Sequence, residues 1–185
     1  MTKYIHPFEN PLTDNLDQSL IGNKGYNLCV MYEMGLPIPE GFIINSIASK
    51  DYINNSAFDK NFENELKENI NRIENKTNLE IGNKDKPLIL SVRSGSKISM
   101  PGMLDTILNV GLNKEIVTSL SKDGNSFFAF DTWRRFIQMF SHVVYKIDNF
   151  DFDEILENYL LGANLSAINQ LDPEDLEEIS DMYLN

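Results

Sequence analysis

The spacing of apolar side chains predicts a first short helix near the start of the chain. Leu28, Met31 and Met34 recur at intervals of three residues, which is typical of one face of a helix. Gly35 and Pro37 follow where such a helix should end, because glycine caps helix ends and proline cannot continue a helix. The apolar face of this helix is therefore expected to comprise the leucine and the two methionines.

Two further helices and two strands are predicted after an extended segment at residues 41–45. Ser46 is the predicted N-cap of a helix that runs through Asn54, because a serine hydroxyl accepts a hydrogen bond from a free N–H. Residues 88–92 (LILSV) have the length and β-branched content of a buried strand, and residues 106–111 (TILNVG) predict a second strand. A longer helix before the strands has an apolar stripe formed by Phe62, Leu66, Ile70 and Ile73.

The pattern after Gly111 predicts helices only. A short helix is expected within residues 113–124 and a long one over residues 127–147. The segments 151–162 and 172–184 each begin with acidic residues, which favour a helix N-terminus. The expected core-facing side chains of the long helix are Trp133, Phe136, Ile137, Phe140, Val143 and Val144.

These elements predict an α/β lobe over residues 1–111 and a helical subdomain over residues 112–185, with a boundary near Gly111. Charge follows the same division, since the first region carries 11 basic and 14 acidic side chains and the second carries 5 and 14. The basic groups that could hold an anionic ligand are therefore concentrated in the first region.

The acidic balance excludes some classes of function. The 185 residues carry a formal net charge of −12, whereas nucleic acids and anionic membranes are bound by clustered Lys and Arg. We therefore expect no nucleic-acid or membrane partner. Apolar runs stay short of the ~20 residues that span a membrane, and we predict a cytoplasmic location. Cys29 is the single cysteine and is interpreted as a core residue without a disulfide.

A lysine lies between two glycines just before the first predicted helix, in the sequence GNKGYNL at residues 22–28. Glycines allow a tight turn, helix-start N–H groups attract anions, and the Lys24 ammonium adds a positive charge. The spacing is that of neither the Walker motif nor the dinucleotide fingerprint. A solvated surface lysine therefore stays open as the alternative.

The loop between the two predicted strands is a more specific candidate for anion binding. Arg93 follows a predicted strand, which could hold its planar guanidinium in place for two phosphate oxygens. The sequences SGS and PGM that follow allow close approach of the backbone to a ligand. The alternative is a surface loop whose arginine pairs with a carboxylate.

Three segments in this order resemble the amino-terminal region of the pyruvate, phosphate dikinase family. They are GNKGYNLCVMYEMGLPIPEGF, LILSVRSGSKISMPGMLDTILNVGLN and WRRFIQMFSHVV. The resemblance covers nearly the whole chain and implies an α/β (α+β) lobe of an ATP-grasp-like nucleotide-binding domain, followed by a small helical lobe. The family converts ATP, pyruvate and phosphate to AMP, phosphoenolpyruvate and pyrophosphate.

By resemblance, one group of residues contacts ATP phosphates and Arg135 contacts inorganic phosphate. The segment from Ser94 to Met103 matches the family's mobile phosphate-covering loop. Two departures are Asn23, which replaces a usual glycine and would suit a left-handed backbone, and Lys97, which replaces a usual arginine. For both Arg134 and Arg135, the alternative interpretation is an ion pair with Asp131. The implied ATP-binding residues are Lys24, Arg93, Ser94, Gly95, Pro101, Gly102 and Met103.

The resemblance also implies parts outside these 185 residues. Neither His6 nor His142 has the setting of the family's phosphocarrier histidine, and both are interpreted as structural. The carboxylates for Mg²⁺ are expected elsewhere, because the acidic cluster at residues 151–154 is explained by helix capping. We therefore expect no turnover by this chain alone, with the rest of a dikinase chain as its partner. The alternatives are the nucleotide module of a water-dependent dikinase and a non-catalytic fragment that binds a partner protein.

Overall fold

The computed structural model describes residues 3–9, 18–95, 106–122 and 124–185. The chain forms two compact units. The first comprises Met1–Leu79 with Ser94–Leu104, and the second comprises Glu80–Arg93 with Asp105–Asn185. This division differs from the boundary predicted near Gly111. The two strands predicted at residues 88–92 and 106–111 lie largely in the second unit, together with the later helices.

The first unit has a small antiparallel sheet with helices packed beside it. Its core contains Tyr4, Ile5, Ala48 and Phe62, with Phe42, Ile47 and Leu66 packed against them. In the sheet, the first strand pairs with the second so that Ile5 lies opposite Ile44. The elements are β1 (Ile5–Pro7), α1 (Gln18–Glu33), β2 (Phe42–Ile44), α2 (Ser46–Asn55) and α3 (Lys60–Thr77).

Helix α1 ends as predicted, but its buried face differs from the prediction. It stops at Glu33, and Gly35 follows with a φ of 71°. Met31 and Met34 of the predicted apolar face are 37% and 70% exposed. The buried side is instead formed by Ile21, Gly25 and Cys29.

Close packing against β2 explains this choice of face. A Cβ atom at Gly25 would lie 3.1 Å from Cδ1 of Ile43, so the missing side chain lets the helix approach the strand. The core interpretation of Cys29 is confirmed, since its side chain is fully buried. Burial raises the pKa of the Cys29 thiol to about 11, because the thiolate would lose its hydration.

The N-cap of α2 is Asn45, and the prediction of Ser46 is wrong by one residue. The Asn45 side-chain oxygen accepts from the backbone N–H of Ile47 at 3.0 Å and of Ala48 at 3.3 Å. Its amide nitrogen donates to the Lys3 carbonyl at 2.8 Å. Asn45 is only 2% exposed, so this cap also joins the helix to the β1 segment.

Helix α3 has the predicted apolar stripe, with Phe62 and Ile73 buried. Its other side carries an ion-pair cluster. Arg72 and Lys76 both pair with Glu9, and Lys76 lies 3.4 Å from Glu40. The pKa of Glu9 is lowered, mainly by the hydrogen bond from Lys76. The cluster therefore ties α3 to two loops of the first unit.

The second unit combines a two-stranded hairpin with helices around one core. Three of the six core-facing residues predicted for the long helix are in it, namely Trp133, Phe136 and Ile137. The elements are β3 (Leu90–Arg93), β4 (Thr106–Val110), α4 (Lys114–Ser121), α5 (Ser126–Phe140), a π-helical turn (Ser141–Tyr145), α6 (Asn149–Gly162), a 3-10 turn (Ile168–Gln170) and α7 (Pro173–Tyr183).

Strands β3 and β4 form an antiparallel pair, in which Leu90 lies opposite Val110 and Arg93 opposite Thr106. The prediction of a buried first strand is wrong. Val92 is 52% exposed, because a two-stranded ribbon has one face without a packing partner. The register shifts between Leu90 and Val92.

The long predicted helix changes geometry at its end. The α-helix stops at Phe140 and continues as a π-helical turn to Tyr145. Val144, predicted to face the core, is 46% exposed. The wider turn rotates the following side chains away from the direction that an α-helical spacing predicts.

An acidic residue caps each of the last two helices, although the cap of α6 lies three residues before the predicted start at Asp151. Asp172 and Asp175 form a reciprocal capping box at the start of α7. Helix α6 begins with Asp148 as its N-cap, which places Asp151 in its first turn.

Among the helices that the structure describes, none combines the length and apolar content that crossing a membrane requires.

Candidate anion-binding site

Gly22 creates the start of the helix that carries Lys24. Its backbone, with φ 69° and ψ 166°, interrupts α1 in a region that is essentially restricted to glycine. Asn23 is within the helix, and its side chain accepts a hydrogen bond from Gln18 Nε2 at 3.1 Å. The left-handed backbone expected for Asn23 does not occur, and the positive φ lies at Gly22 instead.

Lys24 lies beside the first residues of the loop that follows β3. Its Nζ donates to the backbone carbonyl of Ser94 at 3.3 Å, across 70 residues of sequence. Next to this contact, a Cβ atom at Gly95 would lie 4.0 Å from the carbonyl oxygen of Ile21. Lys24, Ser94 and Gly95 are thus brought together at one place in the first unit.

The Lys24 ammonium stays available for a ligand in this position. Both Lys24 and Ser94 are exposed. An ammonium has three N–H donors, and the carbonyl of Ser94 uses one. The beginning of a helix also presents backbone N–H groups that carry partial positive charge. The arrangement can therefore bind an anion such as a phosphate group.

Arg93 is the last residue of β3, lies opposite Thr106 and is exposed. It belongs to the second unit and directly precedes Ser94 in the chain. Within the described residues it forms no ion pair, so the alternative of an arginine held by a carboxylate has no support there. Pro101, Gly102, Met103 and the variant residue Lys97 lie outside the described residues.

Arg135 lies on α5, in the second unit. Its side chain is 62% exposed, and its Nε lies 3.2 Å from Oδ2 of Asp131. One helical turn later, Met139 Sδ accepts from the backbone N–H of Leu108 at 3.5 Å, so β4 packs along this part of α5. Arg135 is therefore on the helix that packs against the β3–β4 hairpin, whose first strand ends at Arg93.

The neighbouring Arg134 is buried and forms an ion pair with Asp131. This pair is the alternative that the sequence analysis gave for Arg134. The Nη2 and Nε atoms of Arg134 lie 2.8 and 3.1 Å from Oδ1 of Asp131. Sequence reasoning considered this pair only as a competing explanation and did not recognise that one carboxylate serves both arginines. The i, i+3 and i, i+4 spacings were the available signal.

Both histidines make structural contacts. His6 is buried, with Nε2 3.1 Å from Nδ2 of Asn45. His142 is exposed, and its Nδ1 lies 2.9 Å from the carbonyl oxygen of Ile147. Among the described residues, no three His, Cys, Asp or Glu side chains come together as a metal site.

A cavity of about 250 Å³ in the first unit has a different lining, which includes Tyr4, Asp51 and Asp59. The Tyr4 hydroxyl lies 2.9 Å from Asp51 and 3.0 Å from Asp59. The hydrogen bond to Asp51 and burial raise the pKa of Tyr4. Lys24, Arg93, Ser94 and Gly95, the described residues among those predicted to bind ATP, do not line this cavity, so it is separate from the Lys24 site.

A model of the family described as pyruvate phosphate dikinase, AMP/ATP-binding domain, matches residues 48–142, just over half of the chain. The chain belongs to this family. Arg93 and Arg135 lie within the matched residues, whereas Lys24 lies before them. The resemblance stated from the three sequence segments is therefore confirmed.

Relatives named pyruvate, phosphate dikinase extend the similarity to almost the whole chain. The protein of Rickettsia prowazekii is 41% identical over 188 residues, covering 99% of this chain and 21% of that protein. The protein of Entamoeba histolytica is 36% identical over 182 residues, covering 97% and 20%. The chloroplastic protein of Flaveria trinervia is 38% identical over 169 residues, covering 91% and 18%. The chain thus spans about a fifth of the length of the curated relatives it matches.

Proposed function

We propose that this chain supplies phosphate contacts for ATP in a pyruvate, phosphate dikinase. In this function Lys24, Ser94 and Gly95 bind ATP phosphates together with Arg93. Arg135 binds inorganic phosphate, and the nucleotide-binding fold is of the ATP-grasp type. The whole reaction would convert ATP, pyruvate and phosphate to AMP, phosphoenolpyruvate and pyrophosphate.

The hydrogen bond from Lys24 to Ser94 carries this proposal. It joins the two segments in which sequence reasoning found separate anion-binding features, at a 3.3 Å contact between residues 70 positions apart. Arg93 precedes Ser94 directly, so chain connectivity keeps the two α-carbons about 3.8 Å apart. A lysine and an arginine anchored at the same loop are suited to phosphate binding.

The chemistry of phosphoryl transfer favours such an arrangement. Charge spreads over the oxygens of the transferred group, and positioned cations stabilise that charge. Lys24 acts as a compact positive charge, whereas the planar fork of Arg93 can engage two oxygens at once. The two residues therefore have complementary roles in holding a polyphosphate.

Mg²⁺ normally accompanies ATP and prefers oxygen ligands, with one or two carboxylates among them. The described residues do not bring such a group of carboxylates together. They therefore do not fit a metal site by themselves. The proposed role of this chain is limited to contacts with phosphate oxygens.

Isothermal titration of the 185-residue chain with Mg-ATP tests the proposal. Loss of one charge-assisted hydrogen bond costs about 1.5–3 kcal/mol, so Lys24→Gln and Arg93→Gln should each raise the Kd roughly tenfold to a hundredfold. Lys50→Gln is the matched control, because Lys50 is an exposed lysine of the same unit on α2. Equal effects of Lys24→Gln and Lys50→Gln, or no binding by the unmodified chain, would contradict the proposal.

The whole reaction can be tested in a chimera in which this chain replaces the aligned part of the Rickettsia prowazekii relative. The proposal predicts that continued formation of AMP and pyrophosphate from ATP requires both pyruvate and inorganic phosphate. AMP formation that proceeds without added phosphate would instead identify a water-dependent dikinase.

A further inference from the structure

Asp131 contacts two consecutive arginines of α5, Arg134 and Arg135, and uses a different carboxylate oxygen for each. Oδ1 accepts from Arg134, at 2.8 Å from Nη2 and 3.1 Å from Nε. Oδ2 lies 3.2 Å from Nε of Arg135. Because the three residues are at i, i+3 and i+4, all of these contacts form along one turn of the helix.

The Arg134 side of this group is held rigidly. The Arg134 side chain is 6% exposed and that of Asp131 is 17% exposed. Nη1 of Arg134 also lies 3.5 Å from the hydroxyl of Tyr183, a buried residue of α7. The Tyr183 ring packs edge-on against Phe152, with the ring centroids 4.9 Å apart. The position of the Asp131 carboxylate is therefore fixed by the core of the second unit.

The Arg135 side of the group faces solvent. Its side chain is 62% exposed, and the contact with Asp131 uses Nε only. A guanidinium has five N–H donors, so both Nη groups stay available for two oxygens of one phosphate. The single carboxylate is shared by two cations, which leaves the group of three with a net charge of +1.

We propose that Asp131 is a positioning residue that orients the Arg135 guanidinium so that its Nη edge is presented to a phosphate. The inference rests on the proposed function, in which Arg135 contacts inorganic phosphate. Asp131 acts through Arg135 and does not itself contact the ligand. Arg134 and Tyr183 serve to hold the carboxylate in place.

Asp131→Asn separates positioning from simple electrostatics. An asparagine has one acceptor oxygen, and the buried Arg134 needs that acceptor more than the exposed Arg135 does. The Asn NH2 group then faces the Nε–H of Arg135, and the orienting ion-pair contact is lost. Removal of a negative charge beside an anion site would by itself strengthen anion binding. The two effects therefore have opposite signs.

The first measurement is the affinity of the 185-residue chain for inorganic phosphate, followed by NMR titration. We expect Asp131→Asn to weaken binding about tenfold and to have less than a twofold effect when Arg135→Gln is already present. The charge-matched control is Asp151→Asn, which removes an exposed carboxylate of the same unit. Unchanged or stronger binding by Asp131→Asn would overturn the inference.

The second measurement is the order parameter of the Arg135 Nε–H bond. Positioning predicts an ordered bond in the unmodified chain and a value below about 0.6 in Asp131→Asn, which a purely structural role of Asp131 would leave unaltered. An equally ordered bond in both proteins would overturn the inference. If Asp131→Asn fails to fold, Asp131→Glu keeps the charge, displaces the carboxylate and carries the same predictions.

The phosphate titration also separates this inference from the proposed function. If Arg135→Gln leaves phosphate binding unchanged, the proposed phosphate contact of Arg135 is wrong. If Arg135→Gln weakens binding while Asp131→Asn does not, the contact stands and only the positioning role fails.

Discussion

Replacing Gly111 by alanine should destabilise the second unit more than the same change at a comparable glycine. Gly111 follows β4 with a φ of 105°, and a Cβ atom there would lie 2.7 Å from the carbonyl oxygen of Leu88. This oxygen belongs to the backbone of a residue that is 4% exposed and whose N–H donates to Glu80 at 2.9 Å. The clash therefore cannot be relieved by rotating a side chain.

Gly124 is the matched control. It has a φ of 115°, and among the described residues other than its chain neighbours none has an atom within 4 Å of an added Cβ, so Gly124→Ala introduces backbone strain without such a clash. Such strain costs about 1–3 kcal/mol at either position. Overpacking against the Leu88 backbone adds about 1–3 kcal/mol for Gly111→Ala. We therefore expect a loss of roughly 2–6 kcal/mol for Gly111→Ala and roughly 1–3 kcal/mol for Gly124→Ala.

Urea unfolding followed by Trp133 fluorescence measures this difference. Trp133 is the single tryptophan of the chain and lies in the core of the second unit, where both glycines are also located. The slopes of the unfolding curves should stay equal while the midpoint falls further for Gly111→Ala. A loss for Gly111→Ala that is no larger than the loss for Gly124→Ala would refute the packing argument.

Two predictions concern the first unit. Asn45→Ala should cost about 1–3 kcal/mol, because it removes the α2 cap and the hydrogen bond to the Lys3 carbonyl, whereas Ser46→Ala should cost less than about 0.5 kcal/mol. Urea unfolding followed by circular dichroism compares them, and equal losses would restore Ser46 as the cap. The lowered pKa of Glu9 stabilises the fold above its usual value of 4.5, and this contribution disappears as the pH falls through the lowered value. Glu9→Gln should therefore lower the urea midpoint at pH 7, and this effect should shrink as the pH falls below 4.5. A pH-independent effect would exclude this linkage.

Much of the helical structure could be predicted from local chemistry. The stripe of α3 and the acidic start of α7 depend on residues within a few positions of one another, and both predictions were confirmed. The cap of α2 could not be assigned with the same certainty, because Asn and Ser are both good N-cap residues and stand side by side. The structure distinguishes them, because the Asn45 side-chain oxygen accepts from the N–H groups of Ile47 and Ala48 while its amide nitrogen donates to the Lys3 carbonyl.

The wrong predictions share a physical cause. An apolar side chain is buried only where another element covers it, and local spacing does not show which face of a helix or strand will be covered. Gly25 packs against Ile43, so α1 buries that side and exposes Met34. Val92 belongs to a two-stranded ribbon and is therefore exposed, although its sequence is that of a buried strand.

The sequence by itself determined the family and supplied the residues that we propose for phosphate binding, because contiguous motifs such as the Arg93 loop carry that information without a structure. Only the tertiary structure placed Lys24 against Ser94, since folding joins segments 70 residues apart through contacts that no local pattern encodes. Tertiary packing also decided that Arg134 is buried while Arg135 is exposed. The two arginines are consecutive and chemically identical, and α7 covers only one of them.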